Sequence, residues 1–328
     1  MNWNLLGHTW AVSLLKNHLA HDRLRHAYLF TGPPGIGRRT LALRFAQAIN
    51  CTSPISPGEP CGTCRTCLQI ARMQYPDLSV IQSDQPGGVL KVDQVRELQH
   101  SLALAPYEAT YRIALLLRFE EAHPSAANAL LKTLEEPPGQ VILLLTASDS
   151  EDLLPTIPSR CEVLALHVMP VEELAHELLS LVECSEEEAQ LLAHLSGGRP
   201  GFALRLKSEE QLLITRTTRL EELDRLLRSS RIERFRYVET LSKDKQALTD
   251  TLQTWLSYWR DVLLRASGAH GSLTNLDWET EINRLADKTG PLTANQMVSS
   301  LDRTLRLVNR NVNPRLATEV FMLDLPYH

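Results

Sequence analysis

No apolar stretch in the chain approaches the roughly 18 to 20 residues that a membrane-spanning helix requires. The longest runs, Ile113–Leu117 and Val141–Leu145, hold five residues each, so no membrane partner is expected. The opening segment MNWNLLGHTW lacks the basic start and continuous apolar stretch of a secretory signal, and a cytoplasmic location is expected. Glycine and proline number 15 and 18 among 328 residues and follow no fixed period. With 43% hydrophobic and 22% charged residues, fibre and disorder are excluded. No tandem repeat is visible. Cysteine is scarce at six residues, and four of them crowd between Cys51 and Cys67, too close together for a disulfide scaffold in a chain of this size. They have the pattern of metal ligands.

What remains is an ordinary globular chain, long enough for about two or three domains. Its net charge of −5 is unevenly spread, because Lys16, Arg23, Arg25, Arg38, Arg39 and Arg44 face only Asp22 in the first fifty residues, a local +5 against −10 for the rest. A phosphate-bearing partner near this segment and a solvated basic face both fit that balance.

Between about residues 26 and 161, short apolar runs alternate with helical stretches, the pattern of a parallel sheet flanked by helices. Strands are predicted at Ala27–Thr31, Ile113–Leu117 and Val141–Ala147. After about residue 165 helical periodicity takes over. Pro170 opens a helix with Leu174, Leu178 and Leu181 on one face. The next starts at a Ser185 and Glu188 capping box and stops near Gly197 and Gly198. Beyond Lys207–Gln211, stripes at Leu252, Trp255, Leu256, Trp259, Val262 and Leu263, and at Met297, Leu301, Leu305 and Val308, predict long helices whose tryptophans belong to a core or an interface. Residues 266–275 read as an exposed loop.

Gly32, Gly35 and Gly37 lie between the first strand and a helix bearing Leu41, Phe45 and Ile49, the setting of a phosphate-binding loop. Its chemistry is incomplete. Arg38 stands where the phosphate-gripping Lys belongs, and Arg39 stands where a Ser or Thr would hold Mg²⁺. The strand Ile113–Leu117 runs into Arg118 and Phe119, with Glu120 and Glu121 arriving too late to supply the usual strand-end acid. Two independent elements thus lack magnesium ligands, which predicts a loop that keeps its shape without ATP turnover, although Arg38 can still hold an anion. Cys51, Cys61, Cys64 and Cys67 read C-x9-C-x2-C-x2-C. Four thiolates at this spacing can close a tetrahedral Zn²⁺ site with no position left for water, hence a structural one. Cys161 and Cys184 are isolated and read as core residues. By composition alone, Arg160 is an ordinary loop arginine.

Taken together, HAYLFTGPPGIG (26–37), the four-cysteine insertion after the loop's helix, NALLKTLEEPP (128–138) and Ser159, Arg160 and Cys161 resemble the AAA+ clamp-loader subunits of bacterial DNA polymerase III. The likeness covers about residues 1–165, and SGGRPG (196–201) and NVNPR (311–315) extend it more weakly. It implies an α/β AAA+ RecA-like domain with parallel sheet over 1–165, holding a zinc module at about 51–75. A helical lid over 166–208 and an all-helical collar over 209–328 follow. It implies gamma/tau and delta subunits as partners in a hetero-pentamer that acts on the sliding clamp and primer–template DNA. The family contains ATP-hydrolysing gamma/tau subunits and a branch with a degenerate nucleotide site. Arg38, Arg39 and the missing strand-end acid place this chain with the second, and so does its length, since tau carries further C-terminal domains.

In that family the Ser-Arg-Cys arginine reaches the neighbouring subunit's ATP site, so Arg160 is expected to be an arginine finger acting in trans, a role that needs no working loop in its own chain. Thr146 and Ser148 fall where AAA+ proteins place a polar residue near the γ-phosphate. Arg199 falls near the lid arginine, a position that also fits a plain turn. Lys132, Glu135 and Glu136 lie on a helix ended by Pro137 and fit a subunit contact or a solvated face equally. Two other readings stand beside this one: an active gamma-type AAA+ ATPase in which Arg38 replaces Lys and Glu120 supplies metal binding, and a zinc-dependent DNA-binding module.

Overall fold

In the computed structural model, described for residues 3–85, 87–269, 271–309 and 312–327, the chain divides into two compact units. One comprises Met1–Glu177 with Arg199–Phe202, the other Leu178–Gly198 with Ala203–His328. Asn311 of the C-terminal motif and His270 of the predicted loop lie outside the described residues.

Unit one holds β1 (Ala27–Thr31), β2 (Leu78–Ile81), β3 (Arg112–Leu116), β4 (Val141–Ala147) and β5 (Glu162–Ala165), with α1 (Thr9–Ala20) before them and α2 (Arg38–Asn50), α3 (Arg65–Ala71), α4 (Val92–Leu102) and α5 (Pro124–Glu135) between them. The sheet order is β2-β3-β4-β1-β5, and every pairing is parallel. β1 and β4 are buried along their whole length, which is why they read as unbroken apolar runs. β2 and β5 escape the sequence reading because they are edge strands of four residues, part-exposed and without a continuous apolar run.

Alternation assigns strand residues to opposite faces. Tyr28, Phe30, Leu115 and Leu144 pack with Leu15 of α1 and Leu41 and Phe45 of α2, while Leu29, Ala114, Leu116 and Leu143 pack with Leu98 of α4 and Leu130 of α5. The connection leaving β1 runs to β2 at one edge, whereas that leaving β4 runs past β1 to β5 at the other, so the crevice at the carboxyl ends of β1 and β4 is where such sheets bind ligands.

The rest of the chain is helical, as the periodicity predicts: α6 (Val171–Leu181), α7 (Glu186–Ser196), α8 (Pro200–Ser208), α9 (Glu210–Leu227), α10 (Arg231–Leu241), α11 (Lys245–Ala266), α12 (Glu279–Asn309, broken at Gly290) and α13 (Pro314–Asp324). Trp255 and Trp259 are completely buried beside Leu252, Met297, Leu301 and Val308. Two details differ from the pattern reading. Leu181 is half exposed, since α6 ends there. The capping box at α7 is only half closed: Ser185 Oγ accepts from the Glu188 N–H at 3.1 Å, whereas the Glu188 carboxylate turns to Lys207 Nζ at 2.8 Å.

Candidate nucleotide loop, cysteine cluster and surface arginine

The glycine loop is held tightly by its surroundings. At Gly32 a Cβ would stand 2.6 Å from the Leu166 carbonyl oxygen, and at Gly35, where φ is +83°, it would stand 2.7 Å from the Phe202 Cβ. Only glycine fits either place. Gly32 N–H donates to Ser148 O at 3.1 Å, and Phe202 N–H donates to Gly35 O at 3.1 Å. His8 Nε2–H donates to Ile36 O at 2.9 Å, and Arg199 Nη1 donates to Pro34 O at 3.4 Å. The Arg199 guanidinium carbon lies 4.7 Å from the Phe202 ring centre. Arg199 is thus a neighbour of the loop backbone.

Arg38 opens α2. Its Nη1 is 3.9 Å from Glu120 Oε1 and 3.5 Å from Ser148 Oγ. Burial pushes its guanidinium below the ordinary range, and Glu120 opposes that shift. Arg39 is exposed. Beyond β3, Arg118 takes the left-handed conformation (φ 51°) and starts a single 3-10 turn, Phe119–Glu121. That turn aims Glu120 at the end of β4, where its Oε1 accepts from Ser148 Oγ at 2.7 Å and Ser148 N–H at 3.2 Å. Thr146 is buried, and its hydroxyl oxygen accepts from Arg118 N–H at 2.9 Å. Sequence reasoning singled out Arg38, Arg39 and the end of β3 but missed the Arg38, Glu120 and Ser148 cluster. The three residues lie far apart in the chain, and only the reversal at Arg118 brings them together.

The four cysteines converge as predicted, with all Sγ atoms within 4.8 Å of one another. Cys51 ends α2 and Cys64 caps α3, with Cys67 in its first turn. Sγ separations of 3.6 Å (Cys51–Cys61) and 4.0 Å (Cys51–Cys64) match the edge of about 3.8 Å that Zn–S bonds of about 2.3 Å impose on a tetrahedron. Backbone N–H groups of Cys61, Cys64 and Cys67 donate to the sulfurs of Cys51, Cys61 and Cys64 at 3.4, 3.2 and 3.4 Å, which favours thiolates. Such bonds hold the Cys61 thiol well below its usual range, while burial pushes Cys51 and Cys67 up. The donor set suits a metal such as zinc. Trp3 Nε1–H to Gly58 O at 2.9 Å and Gln47 Nε2–H to Cys67 O at 2.7 Å moor this segment to the domain.

Arg160 ends a 3-10 turn, Pro158–Arg160. Its side chain keeps 33% of its exposure and its Nη2 pairs with Glu135 Oε1 at 2.7 Å, while Nη1 donates to Thr156 O at 3.0 Å. Lys132 and Glu136 are exposed on and just beyond the same helix, α5. Cys161 packs partly against the core, with burial raising its thiol to about 12, and Cys184 is half-buried.

The family described as DNA polymerase III, delta subunit, matches residues 7–170, and its C-terminal counterpart matches residues 210–326. The DNA polymerase III subunit delta' of Pseudomonas aeruginosa is 33% identical, with 96% of each chain covered. The chain belongs to the delta-prime subunits of bacterial DNA polymerase III. A delta-prime subunit from Bacillus subtilis is 29% identical over 96% of this chain and 94% of its own. The tau subunit of the same organism is 26% identical over 98% of this chain, which spans only 61% of tau. A gamma subunit-related protein from Thermotoga maritima, 18% identical, superposes with a TM-score of 0.53 over 95% of this chain and 97% of its own. The delta-prime chain is thus a clamp-loader subunit with an AAA+-like α/β fold followed by helices, as its motifs suggest. No helix among the described residues is long and apolar enough to cross a membrane.

Proposed function

We propose that this delta-prime subunit does not hydrolyse ATP itself and instead lends Arg160 to the ATP site of an adjacent gamma/tau subunit during loading of the sliding clamp onto primed DNA. The observation that carries the reading is the state of the loop: the residue in the lysine position, Arg38, faces the carboxylate of Glu120, and Arg39 offers no hydroxyl. The working modules under this reading are residues 1–165, 166–208 and 209–328. Gamma/tau and delta subunits complete a hetero-pentamer, and Cys51, Cys61, Cys64 and Cys67 hold one structural Zn²⁺ that ties α2 to α3.

Arg160 suits its role energetically. Its pair with Glu135 is part-exposed, and such pairs contribute about 0–1 kcal/mol. Exchanging the carboxylate for a neighbour's triphosphate therefore costs little. A guanidinium delivered to a transferring phosphoryl group is worth about 10³ to 10⁵ in rate in well-studied GTPases. The test is reconstitution with the other subunits. Arg160→Ala is expected to lower DNA-stimulated ATP hydrolysis at least tenfold, and an unchanged rate would refute the finger. Magnesium-dependent turnover by the chain alone, abolished by Arg38→Ala, would instead establish a gamma-type ATPase.

A further inference from the structure

A phosphate loop stripped of its magnesium ligands could stand open, but here its charge is already answered from within the chain. Glu120 reaches across the ends of β3 and β4, accepts two bonds from Ser148, and faces Arg38, which also donates to Ser148. The side chains of Arg38 and Glu120 retain only 10% and 19% of their exposure. Arg118, whose charge also acts on Arg38, is paired with its own carboxylate, Glu121, at 3.0 Å, which leaves Glu120 to face Arg38. Glu120 Oε2 is buried without a hydrogen-bond partner, so this oxygen contributes charge to the site and no bond.

We propose that the Glu120 carboxylate substitutes for a phosphate in the loop, making the loop a latent site for di- and triphosphate anions that the chain's own acid keeps shut. Three features support a latent site. The Gly32 and Gly35 backbone keeps a tight, prearranged course. The start of α2 adds partial positive charge. A guanidinium freed of its carboxylate matches phosphate oxygens bidentately. With Glu120 in place, an entering phosphate meets a like charge and finds Arg38 engaged. The inference rests on the non-hydrolysing reading of the same loop, and its ligand needs no divalent metal.

Titration calorimetry of the full chain with inorganic pyrophosphate and with ADP, in metal-free buffer, tests it. Glu120→Gln, nearly isosteric, is expected to bind at least tenfold more tightly than the wild type. The gain should vanish in the double variant Arg38→Ala, Glu120→Gln. Ser148→Ala, which removes one of the two bonds holding Glu120, should show a smaller gain and serves as the second variant if Glu120→Gln does not fold. Equal affinity of wild type and Glu120→Gln, or a gain that survives Arg38→Ala, would overturn the proposal. Absence of a gain in an inert wild type sinks the latch alone, whereas ATP turnover by the wild type sinks the reading beneath it.

Discussion

Asp77 shows how much one carboxylate can organise. Fully buried, it accepts N–H bonds from Tyr107, Glu108 and Ala109 at 2.7, 2.9 and 2.9 Å and a bond from Arg112 Nη2 at 3.3 Å, folding the segment that leads into β3. Burial alone would raise its carboxyl, but these bonds outweigh it and hold the group below the usual range. Its contribution is therefore complete above the unfolded value near 4 and is lost as pH falls through the lower folded value. Asp77→Ala, which removes the acceptor of three part-buried N–H groups and the carboxylate paired with Arg112, is expected to cost about 3 kcal/mol in chemical denaturation. His8 has the opposite chemistry. Burial lowers its ring, with His167 reinforcing the shift, while the Ile36 carbonyl and Glu177 oppose it. Neutral His8 thus supports the fold above about pH 6.5, and that support fades as pH falls toward the folded value. Replacing it by Gln should shrink the drop in Tm between pH 7.5 and 5.5, and an identical drop would show that His8 does not titrate in this range.

Among the elements, the cysteine segment and the C-terminal helices are held by different means. The former joins the end of α2 to α3 through four sulfurs and has little apolar core of its own, since only Cys67, Thr66, Ile70 and Gly58 in it are buried. About one Zn²⁺ per untagged chain is expected, and chelation or Cys64→Ser should lower Tm. A metal-free chain with unchanged Tm would remove the structural role. The latter depend on Arg234, buried in α10, whose guanidinium donates to the carbonyls of Leu226 and Leu227 at the end of α9 and of Met322, Leu325 and Pro326 at the end of α13. Arg234→Met removes all five of these bonds, and of the five carbonyls Leu226 O keeps a backbone partner in the Ser229 N–H at 3.2 Å. A loss of about 3 kcal/mol is expected in urea denaturation, more than a surface arginine such as Arg306 would show. The long helices were legible because their stripes keep a 3.6-residue period over many turns, whereas β2 and β5 are too short and exposed to carry a comparable signal.

For the molecule as a whole, the charge distribution limits what the isolated chain can do. A net −5, with −10 outside the first fifty residues, opposes a polyanion over most of the surface. The isolated chain is expected to bind a primer–template duplex no more tightly than the weak end of non-specific binding, about 10⁻⁴ M at physiological salt. Sub-micromolar binding with a steep salt slope would instead favour the DNA-binding module.

By itself the sequence determined what depends on near neighbours along the chain. The turn after β1 follows from its glycines, the cysteine cluster from a spacing that α3 closes in one turn, the helices from their periodicity, and the arginines at 38 and 39, with no acid ending β3, are identities written in the sequence. Tertiary structure alone decided which distant groups neutralise one another. Arg38 meets Glu120 because β3 and β4 are parallel neighbours and the backbone reverses at Arg118, and Arg160 meets Glu135 because a 3-10 turn brings it back to α5. A charge reaches its partner through space, and the path to that partner is written in the sheet order.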